Sequence, residues 1–250
     1  MHLMLVNDDG IHAPGLRALC DAATAAGHRV SICAPDCERS AASHSITLRR
    51  GLRARKVDYP GAETAYAADG TPADCAGLGL YLIPGVDAVL SGINNGSNMG
   101  GACVYSGTVG AATEASMSGT PALAVSLCAY NSDDYAAAAK LAMGVVDWMS
   151  DHPLPRGAIY NLNVPAIPYE QILGVRAASM AETYLDSPNY VETQTDEGVE
   201  YRYAHGDDSV TQFDPGSDVM LTRAGYASLT KLTWNLRLDA PDPDPSGIRL

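Results

Sequence analysis

Leu3-Met4-Leu5-Val6 is an unbroken apolar run too short for a helix, and it predicts a strand buried on both faces. From Pro14 to Ala26 the apolar positions instead follow a helical period. Leu16, Leu19 and Cys20 share one face, Pro14 lies in the first turn and Gly27 is the stop. Arg29 to Ala34 predicts the next strand, which completes a strand–helix–strand unit and with it the signature of an α/β fold. The alternation resumes at Val86 to Leu90, a strand expected to open into the glycine- and asparagine-rich segment Ser91 to Gly101. A helix is expected from about Val109 to Met117, a strand over Ala122 to Leu127, and a helix over Asp134 to Met149 capped by Asp133 or Asp134. That last helix carries Leu141, Val145, Val146 and Trp148 as its apolar side, and Ala158 to Val164 follows as a core strand.

The pattern changes over the last hundred residues. Met180 to Asp214 is polar, rich in Tyr, Thr and Asp, and predicts extended strands or a projecting arm. Tyr226 to Leu236 alternates like a strand, and Asp239 to Ser246, with three prolines, predicts a flexible tail. The expected organisation is a core over 1–179, an extended arm over 180–214, a strand returning to the core over 215–238, and a tail over 239–250. No internal repeat is evident.

Composition narrows the partners. A net charge of −13 with only three lysines argues against a nucleic-acid polymer or an anionic membrane as partner, since both need clustered Lys and Arg. Phe213 is the only phenylalanine, so alanine, leucine and valine must do most of the packing, which suits helices lying close on a parallel sheet. The six cysteines show no C-x-x-C and no tight metal spacing, which fits free thiols in a reducing cytoplasm. No secretion leader and no apolar stretch of roughly 18 residues is evident, so neither export nor a membrane span is expected.

The candidate chemistry sits where strands end. Adjacent residues on a regular strand point to opposite faces, so Asp8 and Asp9 converge on one ligand only if the strand has already turned, as Asn7 and Gly10 permit. An alternative is that these aspartates merely cap the helix starting near Pro14. Two further exits offer oxygen ligands: Ser40 in the loop from Pro35 to Ser45, and Asn94 with Asn98 nearby. Carboxylate, hydroxyl and amide oxygens suit a hard divalent ion better than zinc. Ser106-Gly107-Thr108 at a helix start could seat a phosphate on exposed amides, or Ser106 could simply cap the helix. A metal facing a helix N-terminus describes a phosphoryl-transfer site.

These pieces form an ordered set. Asn7-Asp8-Asp9-Gly10 with His12-Ala13-Pro14-Gly15, Ala34-Pro35-Asp36 with Arg39-Ser40 and Ser43, and Gly70-Thr71-Pro72 with Asp74-Cys75 come first. Ser91-Gly92-Ile93-Asn94 with Gly96 and Asn98, then Tyr105-Ser106-Gly107-Thr108-Val109, complete it. The chain thereby resembles the stationary-phase survival protein E (SurE) family of metal-dependent 5′- and 3′-nucleotidases. Later, Asn161-Leu162-Asn163-Val164-Pro165 and Gly225-Tyr226 match more loosely, Lys231 stands where the family usually has proline, and the arm departs most. The resemblance implies a Rossmann-like three-layer core with a mostly parallel sheet, and exchange of C-terminal elements within a homodimer or homotetramer. It implies metal ligation by Asp8, Asp9, Ser40 and Asn94, with one divalent ion per subunit, Mg²⁺ or Mn²⁺ (or Ca²⁺ in crystals). Asn98, Ser106, Gly107 and Thr108 are the expected phosphate contacts and a nucleoside monophosphate the expected substrate.

The expected reaction is attack on the phosphate monoester by water, with Asp8 the firmer ligand and Asp9 helping to take the water proton. A phosphatase of a specialised biosynthetic intermediate, or a nucleotide sensor without turnover, uses the same pocket and is the alternative. A dinucleotide enzyme needs G-x-G-x-x-G, a serine hydrolase G-x-S-x-G and a haloacid-dehalogenase phosphatase Asp-x-Asp, and none is present at the required place. His12 and His44 are read as structural, Asp36 and Arg39 as partners or as supports of Ser40, and Glu114 as either a buried partner of the site or an exposed helix charge.

Overall fold

Alternate side chains of β1 (His2–Val6) leave the sheet on opposite faces and enter two separate cores. Leu3 and Leu5 pack with Leu16, Leu19 and Ala138, whereas Met4 and Val6 pack with Cys75, Ala76, Ala111 and Ala115. The computed structural model describes residues 1–129, 132–182, 190–203 and 213–234. In chain order, β1 is followed by α1 (Pro14–Ala25), β2 (Arg29–Pro35), β3 (Ala54–Val57), β4 (Thr64–Ala68), α2 (Pro72–Leu82), β5 (Ala88–Asn95) and α3 (Gly107–Met117). Then come β6 (Ala122–Cys128), α4 (Ala136–Met149), β7 (Ala158–Pro165), β8 (Val175–Ala178), β9 (Tyr190–Thr195), β10 (Gly198–Tyr203), α5 (Asp218–Arg223) and β11 (Ala227–Thr233). Helices α1 and α4 cover one face of the sheet and α2 and α3 the other, the three-layer arrangement expected from the sequence.

The large sheet runs β3-β4-β2-β1-β5-β6-β7-β11-β8. Strands β4 to β7 in that order are parallel, β3 is antiparallel to β4, and β11 is antiparallel to β7. The chain first winds outward from β1 through β2 to β4, then returns by α2 to place β5 on the other side of β1. The order therefore reverses between β1 and β5, and the carboxyl ends of those two strands open the crevice where such sheets bind ligands. Among the described residues no helix is long and apolar enough to cross a membrane.

Several boundaries differ from those the sequence predicts. β5 continues through Ser91 and Ile93 to Asn95, because after a register shift between Ser91 and Asn94 the strand pairs again, Asn94 with Ser126 and Asn95 with Leu127. Asn94 thus stands on a strand end, not in a loop. Neither Asp133 nor Asp134 is the N-cap of α4; that place is Tyr135, and Asp134 Oδ1 accepts from the Ala136 N–H at 3.0 Å. α2, β3 and β4 occupy a region that yields no periodic signal, yet Thr71-Pro72 with Asp74 is a capping box in full, Thr71 Oγ1 accepting from Asp74 N and Asp74 Oδ2 from Thr71 N. Within the polar arm, β9 and β10 form an antiparallel hairpin in a sheet of their own. The rest of the arm over 183–189 and 204–212, the end of the last expected strand at 235–236, and the tail over 239–250 lie outside the described residues.

Candidate active site at the β1–β5 crevice

The first strand ends at Val6, and Asn7 closes the turn behind it. Asn7 Nδ2 donates to Gly10 O at 2.9 Å and Gly10 N donates to Asn7 Oδ1 at 3.2 Å. Gly10 holds φ +98°, a left-handed conformation that L side chains avoid. A Cβ there would also lie 3.0 Å from the Cys37 carbonyl carbon. The turn frees Asp8 and Asp9 from strand alternation, and neither caps α1, whose N-cap is Ala13 with no side-chain hydrogen bond.

Asp8 is 6% exposed and lies at the N-terminus of α3. The Thr108 hydroxyl donates to Asp8 Oδ1, and the Thr108 backbone bonds the same carboxylate. Gly107 makes this approach possible, since a Cβ at that position would sit 2.9 Å from both Asp8 Cβ and Pro72 Cγ. Burial outweighs the Thr108 bonds and pushes the Asp8 carboxyl above its usual range. Burial and then repulsion from Asp8 push Asp9 up to about 7, against the pull of the Asn95 backbone N–H.

The other exits reach the pair through their backbones. Arg39 N donates to Asp8 O at 2.7 Å, which fixes the loop carrying Ser40 against the Asp8 turn. Ser40 itself is exposed and donates its hydroxyl to Glu38 Oε1 at 2.6 Å. Glu38 lies close enough to raise both aspartates by its charge. Asn94 is half-buried, and its Nδ2 donates to Gly96 O at 2.8 Å. Asn95 Oδ1 is buried and without a hydrogen-bond partner among the described residues.

Asn98 and the α3 N-terminus hold structure together. Asn98 N donates to Asn163 Oδ1 and Asn98 Nδ2 to Ser126 Oγ, both at 2.8 Å, while Asn98 O accepts from Asn161 and Asn163. Ser106 Oγ accepts from Val109 N at 3.1 Å, the capping role foreseen as an alternative. Thr108 is turned to Asp8, so the dipole end of α3 faces a carboxylate of this chain. Asp36 and Arg39 pair at 3.2 Å, and His44 Nε2 meets Glu114 Oε2 at 2.8 Å, which gives Glu114 a partner in the loop after β2. His12 is exposed. Glu38 and Asn95 are absent from the residues the sequence singles out. The only signal for Glu38 is an acidic residue two positions before Ser40, and for Asn95 a second asparagine beside Asn94.

The residues fit a divalent cation by their own chemistry. Two desolvated carboxylates repel each other here, and neither forms an ion pair with a basic side chain among the described residues. No three His, Cys, Asp or Glu side chains cluster as a metal group among the described residues. The donor set at the crevice would instead combine two carboxylates with a hydroxyl and an amide oxygen, the preference of hard ions.

A doubly wound α/β protein with a buried and a half-buried carboxylate at its switch point belongs to the broad class that binds small polar ligands beyond the strand ends. The particular family is SurE: the family model described as "Survival protein SurE" matches residues 3–187, and the chain belongs to that family. The protein "5'-nucleotidase SurE" of Symbiobacterium thermophilum is 42% identical over 246 residues, which cover 96% of this chain and 95% of that protein. The "5'-nucleotidase SurE" of Gloeobacter violaceus is 38% identical over 242 residues, covering 94% and 91%. The crystal structure of the SurE protein from Aquifex aeolicus superposes with a TM-score of 0.79 at 32% identity, covering 95% of each chain.

Proposed function

We propose that this protein is a metal-dependent phosphatase that hydrolyses nucleoside 5′-monophosphates, and 3′-monophosphates as well. The observation that carries the reading is the Asp8–Asp9 turn at the β1–β5 crevice, with Asp8 buried, Asp9 half-buried and neither given a basic partner among the described residues, in a chain of the SurE family. Relatives covering nearly the whole chain carry the name 5′-nucleotidase, which supports the same substrate class.

In this reading Asp8, Asp9, Ser40 and Asn94 hold one Mg²⁺ or Mn²⁺ per subunit, and Asn98, Ser106, Gly107 and Thr108 border the phosphate. The ion, when bound, supplies positive charge to the phosphoryl oxygens and lowers the pKa of water. Thr108 and the amide end of α3 fix the Asp8 carboxylate, so its oxygens need not reorganise during the reaction. Asp9 takes the proton of the attacking water as the new P–O bond forms and the ester P–O bond breaks, and the nucleoside oxygen leaves in line with the bonding pair and takes a proton from solvent water. A cytoplasmic location and a homodimer or homotetramer complete the proposal. The β9–β10 hairpin supports the oligomer, since an isolated two-stranded hairpin is at best marginally stable in water. The core over 1–179 and the arm over 180–214 are proposed as the catalytic and assembling parts.

A phosphate-release panel tests the substrate class: 5′-AMP, 5′-GMP, 3′-AMP, ribose 5-phosphate and an aryl phosphate, each with Mn²⁺. The nucleotides are expected to give the highest kcat/KM. A preference for a non-nucleotide ester would point to a specialised intermediate, and no release from any ester to a binding protein.

A further inference from the structure

We propose that Glu38 is a positioning residue of the oxygen-ligand site: its carboxylate takes the Ser40 hydroxyl proton as a hydrogen bond and so turns the Ser40 oxygen's lone pairs toward a cation at Asp8 and Asp9. The inference rests on the ligand set proposed above and deepens it. A neutral hydroxyl has one proton and two lone pairs. To serve as a ligand it must send the proton elsewhere, and an acceptor that fixes its direction orients the ligand and raises its donor strength. Glu38 Oε1 lies 2.6 Å from Ser40 Oγ, a charge-assisted distance.

The loop that carries this pair is held in place at both ends. The Cys37–Glu38 backbone lies against Gly10, where a Cβ would meet Cys37 C at 3.0 Å and Glu38 N at 3.3 Å. Arg39 N donates to Asp8 O at 2.7 Å. Beyond Ser40, Ser43 N donates to Tyr105 O at 3.0 Å and Ser43 Oγ to Val104 O at 2.7 Å, joining the loop to the segment before α3. The nearby Arg39 guanidinium pairs with Asp36 and not with Glu38. Glu38 thus keeps its charge for Ser40, and that charge is felt at both Asp8 and Asp9.

Mn²⁺ binding to the full-length protein tests this, read as free Mn²⁺ by electron paramagnetic resonance and as the metal-induced rise in Tm. The variants are Ser40→Ala, Glu38→Ala, Glu38→Gln and the double Glu38→Ala/Ser40→Ala. Because both side chains are exposed, the metal-free Tm of each variant is expected to match wild type. Glu38→Ala is expected to weaken Mn²⁺ binding by about 10- to 100-fold. Glu38→Gln, whose amide oxygen still accepts, should recover part of that loss. In the Ser40→Ala background Glu38→Ala should add little, since its route of action is gone. Unchanged affinity in Glu38→Ala, with Ser40→Ala weakened, overturns the inference and leaves the ligand set standing. Equal losses in the two backgrounds overturn it in favour of a simple charge effect. Unchanged affinity in Ser40→Ala removes the ligand set beneath it as well.

Discussion

Asp9, with its carboxyl raised to about 7 in the metal-free fold, binds a proton more tightly folded than unfolded. Between the ordinary carboxylate value of 3.8 and about 7 the native state keeps a proton that the unfolded chain has released. Stability therefore falls as pH rises through that window, the reverse of the usual salt-bridged aspartate. Urea melts of metal-free protein across this range should show the slope in wild type and a shallower one in Asp9→Asn. Saturating Mn²⁺ should flatten it too, because the cation stabilises the charged form. Identical slopes in wild type and Asp9→Asn would contradict the burial and repulsion assigned to this carboxyl. Asp8 and Asp9 are visible in the sequence because an apolar strand stops at a turn-forming Asn and Gly. The partner that fixes Asp8 is not visible as such: Thr108 lies 100 residues away, and only the winding of the sheet brings α3 to the end of β1.

At the scale of the element, α3 meets the site end-on, and Gly107 sets how near it can come. Gly107→Ala puts a methyl group 2.9 Å from Asp8 Cβ and Pro72 Cγ. Neither neighbour is a flexible chain end, so the helix or the Asp8 turn must move. A loss of about 1–3 kcal/mol in chemical denaturation is expected, together with a drop in kcat larger than any change in KM. Wild-type kcat and stability in that variant would show that α3 has slack the packing denies. Elements with strong periodicity, such as α1 and α4, lie close to where the sequence puts them. The short edge strand β3 does not announce itself, because its residues are mostly exposed and carry no alternation to read. β5 runs past its predicted end because Ser91 and Asn94 look like loop residues, although pairing with β6 and burial keep them in the sheet.

For the whole molecule, the reversal of strand order between β1 and β5 determines where chemistry can occur, and this follows from the order in which the sequence alternates strands and helices. Assembly is less legible, since it depends on surfaces that a single chain leaves exposed. Tyr190, Val191, Val199 and Tyr201 on the β9–β10 hairpin are all exposed large side chains. Light scattering of the purified protein is expected to give a dimer or tetramer mass. Deletion of the hairpin over 190–203 should lower that mass, and a monomer before deletion would remove the assembling role of the arm. The central claim, a divalent-ion phosphatase built on Asp8 and Asp9, is tested most directly by phosphate release from 5′-AMP after EDTA treatment and back-titration with Mn²⁺. Stripped wild type should be inactive and regain full rate with Mn²⁺, while Asp8→Asn and Asp9→Asn, both folded, should stay at least about 100-fold slower at saturating metal. Full activity in EDTA, or near wild-type turnover by either variant, would contradict the account.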